Sequence, residues 1–284
     1  MSKTDLSWAV PVMRAGYAGR GLVYVVVAGF SLWAIWRGGQ AEGTGTALQS
    51  LETTTGGGVV LVLIVLGLLA YMVWRLVDAF WDLEAYGTDG EGMVARTGMV
   101  VTGLIHGAIG VGAAAILFGS GSGGGGSSAT TRWLEELMSQ PGGRWAVGIA
   151  GLVTIGAGLY YLHKAWKETY RKELRASRFT TRWNGLLKAG VAAQGVVVLI
   201  VGGLILSAAL SSNASEAGGL GSAFGWLYEQ AYGRILVTLL CVGLLMFALF
   251  CFVNAAYRIV PKVAGDDIET LGHSLKAKAR AAAS

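Results

Sequence analysis

The stretch RAGYAGRGLVY at residues 14–24 occurs in related form twice more, as RTGMVVTGLIH at 96–106 and as KAGVAAQGVVV at 188–198. The three stretches align without gaps at offsets of 82 and 92 residues, and each leads into a long apolar run. Their shared glycines are Gly16, Gly98 and Gly190 at one position and Gly21, Gly103 and Gly195 at another. This recurrence predicts one structural unit repeated three times along the chain.

Each unit continues into a second apolar run with a pattern of its own. A glycine stands four residues before an aromatic residue in all three runs, as Gly67 with Tyr71, Gly156 with Tyr160 and Gly243 with Phe247. Between the two runs lies a short segment with helical apolar spacing, at 47–58, 130–145 and 222–234. Such a segment is typical of a helix that lies in the membrane interface. The predicted unit is therefore a span, a short outer interfacial helix and a second span.

The composition favours a membrane protein over a soluble one. The 284 residues are 54% hydrophobic and only 14% charged, with a mean hydropathy of +0.56, whereas soluble domains carry about 25% charged residues. Six apolar runs approach the length of about 20 residues that crosses a bilayer. They lie at 16–37, 58–80, 98–119, 145–166, 186–210 and 235–257. These spans leave too little sequence for a large soluble domain.

The predicted fold is an all-α integral membrane protein with six transmembrane helices in three parallel two-span repeats. Two spans per unit preserve the orientation, so the repeats are expected to surround an axis along the membrane normal with pseudo-threefold symmetry. The predicted boundaries are 1–93, 94–181 and 182–258 for the repeats and 259–284 for a basic tail.

Lys and Arg are distributed unevenly between the two sides that six spans create. Eighteen of the 22 fall in the N-terminal segment, in the loops after the second and fourth spans and in the C-terminal tail. The other side holds Arg37, Arg132, Arg144 and Arg234. Because cytoplasmic loops carry the excess of basic residues, we predict that both termini are cytoplasmic.

The residues that define the unit resemble a known family. RAGYAGRGLVY, the A-L-x-x-L linker, the G-G-R-W start of a second span and GLLAYMVWRLVDAF are similar to the bacterial membrane family called domain of unknown function 1206. The resemblance covers about residues 13–258, and the third unit departs from it with Val191 in place of Tyr17 and Cys251 in place of Arg75. It implies three two-span units in a bacterial inner membrane and supplies no established activity, cofactor or catalytic residue.

Glycine is the first class of candidate functional residue, because small residues let membrane helices approach closely. The predicted packing positions are Gly16, Gly21, Gly98, Gly103, Gly107, Gly190 and Gly195. A phosphate-binding loop is the alternative, but no strand precedes these glycines and no Lys-Ser/Thr pair follows them. We therefore interpret them as packing residues.

Polar residues inside the spans form the second class. His106 is expected to be the one ionisable residue well inside the hydrocarbon region, where it would serve as a proton relay or ligand contact, or as a neutral histidine bonded to a neighbouring helix. Gln194 and Asn254 are the other polar candidates. Arg75 and Asp78, three residues apart, could form an ion pair, or Arg75 could extend to the headgroups while Asp78 faces water.

A run of basic residues after the fourth span forms the third class. Its members follow each other at spacings of 3, 4, 4, 3 and 4, as Lys164, Lys167, Arg171, Arg175, Arg178 and Arg182. This spacing predicts one face of a helix that continues out of the membrane. The face could bind anionic lipid headgroups, at about 1 kcal/mol per basic residue, or an acidic partner, or it could simply be solvated. Nucleic acid is not expected, because no reading motif is present.

These features predict a non-enzymatic protein without a cofactor or a metal, since no nucleophile-elbow, Walker or metal-binding motif occurs. We expect a structural or accessory subunit, or a lipid-organising protein, that contacts anionic lipids and either a membrane-protein partner or further copies of itself. A small-solute transporter or channel with a pseudo-threefold path is the alternative. A haem or redox protein is a second one, but His106 and His163 would differ in depth by roughly 10 Å.

Overall fold

The computed structural model describes residues 6–119, 134–214, 217–263 and 270–275. Six helices in these ranges are long and apolar enough to cross a membrane. They are α1 (Ala9–Trp36), α3 (Gly57–Trp81), α4 (Gly90–Leu117), α5 (Gly143–Lys167), α7 (Asn184–Ser211) and α9 (Gly233–Tyr257). The prediction of an all-α, six-span membrane protein is therefore confirmed.

A short helix follows the first span of each repeat. In the first and third repeats these are α2 (Thr44–Glu52) and α8 (Leu220–Tyr228), and in the second repeat residues 134–139 are helical. The rest of the predicted second segment, up to residue 133, lies outside the described residues. α2 packs on α1, α3 and α4 through Ala47, Leu48 and Leu51, so the short helix is anchored by its apolar face. We call this end of the bundle the short-helix end.

The first spans of repeats 1 and 2 begin earlier than the hydropathy predicts, at Ala9 and Gly90 instead of residues 16 and 98. Each helix continues past its apolar run because the added turns are anchored. Asp89 caps α4 by accepting from the Gly92 amide at 2.9 Å, and Ala9 and Met13 are buried in α1. The longer α1 places Arg20 well inside the helix.

The basic run after the fourth span does not form one helix face, and that prediction was wrong. α5 ends at Lys167, because Glu168 takes a left-handed backbone conformation with φ of 52°. A 3₁₀ turn (Thr169–Lys172) follows, and α6 (Arg178–Arg182) then begins at the capping box of Ser177 and Thr180. The basic side chains therefore project from four separate pieces of chain, since Arg175 lies in the segment between the 3₁₀ turn and α6.

The six spans pack side by side in the order α4, α3, α1, α9, α7, α5. If the two ends of this row are joined into a ring, each helix has as its neighbours the spans that precede and follow it along the chain, and the first span lies beside the last. The ring is broken at one place, because α4 and α5 share no extensive contact within the described part of the chain. The two spans of repeats 1 and 3 pack together, whereas those of repeat 2 stand apart.

Glycines lie at most of the helix crossings. At the crossing of α1 and α3, a Cβ built on Gly19 would lie 2.5 Å from the Gly67 Cα, so the two backbones are in contact there. Six of the seven predicted packing glycines have a neighbour within 3.0 Å of such a Cβ, namely Gly16, Gly21, Gly103, Gly107, Gly190 and Gly195. Gly98 is the exception, and the prediction was wrong for it. It is exposed, and no described atom of another element lies within 4 Å of the built Cβ.

Candidate functional site

Arg20 is a cation buried inside the bundle. It lies eleven residues after the start of α1, which is about 16 Å along the helix, and it is only 5% exposed. Its Nη1 donates to the Tyr71 hydroxyl at 3.0 Å and its Nη2 to the Tyr161 hydroxyl at 3.4 Å. The rings of Tyr24, Tyr71 and Phe247 lie 5.0–5.8 Å from its Cζ. The expectation that His106 is the one ionisable residue deep in the bundle was therefore wrong.

Within the described part of the chain, no carboxylate neutralises Arg20. Among the described residues none lies within 4.0 Å of its guanidinium, and its buried Nε has no hydrogen-bond partner. Tyrosine hydroxyls and aromatic faces stabilise a cation, but they supply no negative charge. The guanidinium therefore retains donor capacity that the surrounding protein does not use.

Arg75 approaches the same tyrosine from α3. Its Nε donates to the Tyr71 hydroxyl at 3.0 Å and its Nη2 to the Tyr17 hydroxyl at 3.1 Å. Its Nη1 lies 3.6 Å from Asp78, which is the ion pair that the spacing suggested, and 3.9 Å from Glu84. The side chain is 14% exposed and is held by these contacts, so it does not extend to the headgroups. One hydroxyl, that of Tyr71, thus accepts from two guanidinium groups.

His106 completes this group from α4. Its ring lies 4.8 Å from the Tyr71 ring, and its Nδ1 is 2.8 Å from the carbonyl oxygen of Thr102. Because a carbonyl only accepts, Nδ1 donates this bond. We call Arg20, Tyr71, Arg75, His106 and Tyr161 the Arg20 chamber; it draws residues from α1, α3, α4 and α5. His163, in contrast, is exposed on α5.

A second cluster, the ion-pair network, lies where the second span of each repeat ends. Arg258 donates to both carboxylate oxygens of Glu84, at 2.6 and 2.7 Å, and to Glu173 at 2.9 Å. Lys164 donates to the two oxygens of Glu173 at 2.8 and 2.9 Å. Arg75 joins this cluster to the Arg20 chamber. The side chains of Arg258 and Glu84 are 3% and 5% exposed, so a bidentate pair is buried here.

The network keeps its carboxylates ionised. Burial alone raises the pKa of Glu173, but the charges of Lys164 and Arg258 outweigh burial and lower this pKa to about 2. In the same way burial raises the pKa of Glu84, and Arg258 with Arg75 lowers it below its ordinary value. Both carboxylates therefore carry their charge near neutral pH.

The network follows the internal repeat. At offsets of 89 and 176 residues, Arg75 aligns with Lys164 and Cys251, and Glu84 aligns with Glu173 and Val260. Repeats 1 and 2 each supply one basic and one acidic residue nine positions apart. The third repeat has lost both charges and contributes Arg258, which contacts both acidic residues.

Backbone hydrogen bonds join the connecting segments at this end of the bundle, which we call the network end. Ile259 donates to the Glu173 carbonyl at 2.9 Å, and Leu271 donates to the Leu174 carbonyl at 2.8 Å. The Lys262 amide donates to the Leu83 carbonyl at 3.3 Å, and its side-chain Nζ donates to the Trp81 carbonyl at 2.9 Å. Leu174 and Leu271 are fully buried. The described part of the predicted tail is therefore packed onto the loop after α5.

The remaining predicted site residues are distributed between the two clusters and the surface. Lys164 and Arg171 are held in ion pairs with Glu173 and Glu168. The other four basic residues of the run are exposed, namely Lys167, Arg175, Arg178 and Arg182. Asn254 is fully buried and accepts from Arg258 at 2.7 Å. Gln194 is 6% exposed, and its Oε1 has no hydrogen-bond partner among the described residues.

Sequence reasoning missed Arg20, Glu84, Glu173 and Arg258 as site residues. One signal for Arg20 was present, since it aligns with Thr102 and Gln194, which are polar residues inside spans. A signal for the acidic pair was the 89-residue offset that superimposes Glu84 on Glu173. Arg258 has no such signal. Its equivalents in the other repeats are Asp82, which is acidic and pairs with Lys262, and Arg171, which pairs with Glu168.

Fold and clusters together define a multi-pass membrane protein of three two-span repeats with buried charges between its helices. The sequence model of the family described as "Domain of Unknown Function (DUF1206)" matches residues 15–82, 97–168 and 189–258, one segment per repeat. The chain therefore belongs to this family, as its sequence resemblance predicted. It is 24% identical over 255 residues to the uncharacterized protein YxxB of Bacillus subtilis (strain 168), an alignment that covers 88% of this chain and 92% of the relative. No solved structure matches the chain.

Proposed function

We propose that this protein is a non-enzymatic, lipid-organising membrane protein that binds an anionic group, the phosphate or carboxylate of a membrane lipid, at Arg20. The observation that carries the proposal is the burial of the Arg20 guanidinium with no carboxylate beside it in the ranges that the structure describes. A charge inside a membrane bundle is costly and marks a functional site by default. An anionic ligand would supply the missing counter-charge.

The chemistry of the chamber suits an oxyanion. A guanidinium presents a planar set of donors that binds phosphate or carboxylate in a bidentate manner. Among the described residues, hydrogen bonds to Tyr71 and Tyr161 use two of the Arg20 donor positions, and both hydroxyls can donate their own proton to a ligand oxygen. Arg75 adds a second positive charge on the other side of Tyr71.

The exposed basic residues give the proposal an orientation. Lys167, Arg175, Arg178 and Arg182 lie on the network end, and the uneven division of Lys and Arg supports a cytoplasmic location for this end under the positive-inside rule. In a bacterial inner membrane these side chains would meet anionic headgroups of the inner leaflet. Contact with a membrane-protein partner or a second copy is compatible with this role.

Lipid retention tests the proposal. The protein and its Arg20→Gln variant are extracted in mild detergent, and co-purified lipids are quantified by mass spectrometry. We expect the variant to retain anionic lipid at least about tenfold more weakly, since a hydrogen bond to a charged group contributes roughly 1.5–3 kcal/mol. Arg37→Gln is the matched control, because Arg37 is exposed at the short-helix end. Equal retention by Arg20→Gln and by the unmodified protein would reject the proposal.

A small-solute transporter is the second candidate. It is favoured by the position of the Arg20 chamber, which adjoins an ion-pair network that ties together all three repeats at one end. Salt-bridged ends of this kind would have to open during transport. Solute flux in proteoliposomes that is lost in His106→Ala, in a variant that remains monodisperse, would favour transport over lipid organisation.

A further inference from the structure

Repeats 1 and 3 cross their two spans at equivalent positions. In repeat 1, Gly16 meets Tyr71 and Gly19 meets Gly67, with a built Cβ 2.6 and 2.5 Å from the facing backbone. In repeat 3, Gly190 meets Phe247 at 2.5 Å, and Gly243 meets the Ala193 side chain at 2.4 Å. Both crossings therefore use the same four positions of the repeat, two on each helix.

Repeat 2 has the same four positions, but they meet no partner. The equivalents are Gly98 and Val101 on α4 and Gly156 and Tyr160 on α5. Neither glycine has a described atom of another element within 4 Å of a built Cβ, and Val101 and Tyr160 are 46% and 54% exposed. A complete crossing surface is thus left uncovered on each helix. We call the space between these surfaces the repeat-2 slot.

The Arg20 chamber lies behind this slot. Tyr161, which accepts from Arg20, directly follows Tyr160 on α5. His106 lies on α4, eight residues after Gly98, and its ring contacts that of Tyr71. α5 thus places a hydroxyl on the buried guanidinium, and α4 places an imidazole against Tyr71, which also accepts from that guanidinium.

The walls of the slot are apolar. Ile105 and Ala108 lie on the same face of α4 as Gly98 and Val101. On α5, Val153 and Ile149 lie on the same face as Gly156. These residues are exposed in the bundle, with exposures of 53% for Ile105 and 61% for Val153. An occupant of the slot must therefore be apolar along its length and negatively charged where it reaches Arg20.

We infer that the repeat-2 slot holds an acyl chain of an anionic phospholipid whose phosphate is bound by Arg20. The inference rests on the proposed function and adds the route by which the ligand reaches the site from the bilayer. A second copy of this chain would offer an apolar helix but no counter-charge for the guanidinium. A phospholipid supplies both the apolar chain and the anion, and small residues on both walls leave room for the chain.

Filling the slot tests the inference. Gly156→Trp places a large side chain where no described atom lies within 4 Å, and Gly29→Trp is the matched control because Gly29 is also exposed with open space on α1. Both variants, with Arg20→Gln, are reconstituted in nanodiscs that contain anionic and zwitterionic phospholipids, and the lipid retained after delipidating detergent washes is measured. We expect Gly156→Trp to retain anionic phospholipid at least about tenfold less well and Gly29→Trp to retain it normally.

The outcomes separate the two proposals. Loss in Arg20→Gln with normal retention in Gly156→Trp overturns the slot and leaves the proposed function standing. Normal retention in both variants overturns both. Inorganic phosphate alone could displace the lipid to the same extent from the unmodified protein, from Gly156→Trp and from Gly29→Trp. That result would show that the site binds free anions, and it would also overturn the slot.

A cross-link provides a second measurement should Gly156→Trp fail to fold. Val101→Cys with Gly156→Cys is made in a chain whose buried Cys241 and Cys251 are replaced by alanine. If the slot is the route, a reducible bifunctional thiol reagent that bridges the two cysteines across the slot slows exchange of labelled anionic phospholipid at least about tenfold, and reduction restores it. Unchanged exchange in the cross-linked protein, with the two single-cysteine variants as controls, would contradict the inference.

Discussion

Glu84 and Glu173 lie 89 residues apart in the chain, occupy the same position in two repeats, and bind the same guanidinium, that of Arg258. The first carboxylate is bound through two hydrogen bonds and the second through one. This arrangement joins the ends of all three repeats at a single residue. Arg258 donates three hydrogen bonds to carboxylates and Lys164 donates two, so Arg258 is the central cation of the described network.

Arg258→Ala is expected to destabilise the protein by about 3–5 kcal/mol, because it leaves the buried Glu84 carboxylate without its main partner and removes one of the two cations that bind Glu173. Arg258→Lys should recover only part of this loss, since a lysine cannot bind Glu84 in a bidentate manner. Thermal unfolding in detergent measures both effects, with the exposed Arg182→Gln as the control. An Arg258→Ala protein as stable as this control would show that the ion pairs contribute nothing.

The contribution of Glu173 is expected to depend on pH. Its pKa falls from an ordinary value of 4.5 to about 2, because Lys164 and Arg258 outweigh the effect of burial. A lowered pKa in the folded state means that the stabilisation is complete above about pH 4.5 and is lost as the pH falls toward 2. Glu173→Gln should therefore unfold at a lower temperature than the unmodified protein at pH 7, and the difference should shrink below pH 4.5. Glu229→Gln, an exposed change, is the control. A difference that stays constant from pH 7 to pH 3 would contradict this account.

Two glycines should respond oppositely to alanine. Gly19→Ala places a Cβ 2.5 Å from the Gly67 backbone, and forcing the helices apart should cost about 1–3 kcal/mol. Gly98→Ala meets open space, so the higher helix propensity of alanine should leave stability equal or raise it by up to about 1 kcal/mol. Unfolding in a denaturing detergent titration compares the two. Equal effects on stability would show that the crossing of α1 and α3 has room for a Cβ at Gly19.

The spans could be predicted because a long apolar helix is specified locally, by its own residues. The pairing of helices could not be predicted in full, because a threefold repeat implies three equal crossings, and nothing in Gly98 or Gly156 signals that their crossing is open. The repeat predicts which residues are equivalent, but not whether equivalent residues have the same neighbours.

The candidate site was less accessible to sequence reasoning for a related reason. A hydropathy run places Arg20 at the border of the first span, since one charge lowers the local hydropathy. In the structure α1 begins earlier and neighbouring tyrosines accept from the guanidinium. Glu84 and Glu173 lie outside the spans in sequence, and they become buried and half-buried, respectively, only where the connecting segments fold back together. The burial of Arg20 and of these carboxylates is therefore determined by contacts between distant segments of the chain, which no local sequence pattern specifies.

Tyr71→Phe isolates the role of one hydroxyl. This oxygen accepts from Arg20 and Arg75 at 3.0 Å each, so its removal leaves donors of two buried guanidinium groups unpaired while the ring remains. We expect a loss of about 1.5–3 kcal/mol in thermal stability, the range for a hydrogen bond to a charged group. Tyr232→Phe is the control, because Tyr232 lies outside the slot and is 81% exposed. If Arg20 and Arg75 share an anionic ligand, added anionic phospholipid should restore more stability to Tyr71→Phe than to Tyr232→Phe, because the ligand oxygens can accept the freed donors. Identical recovery in both variants would place the lipid elsewhere on the protein.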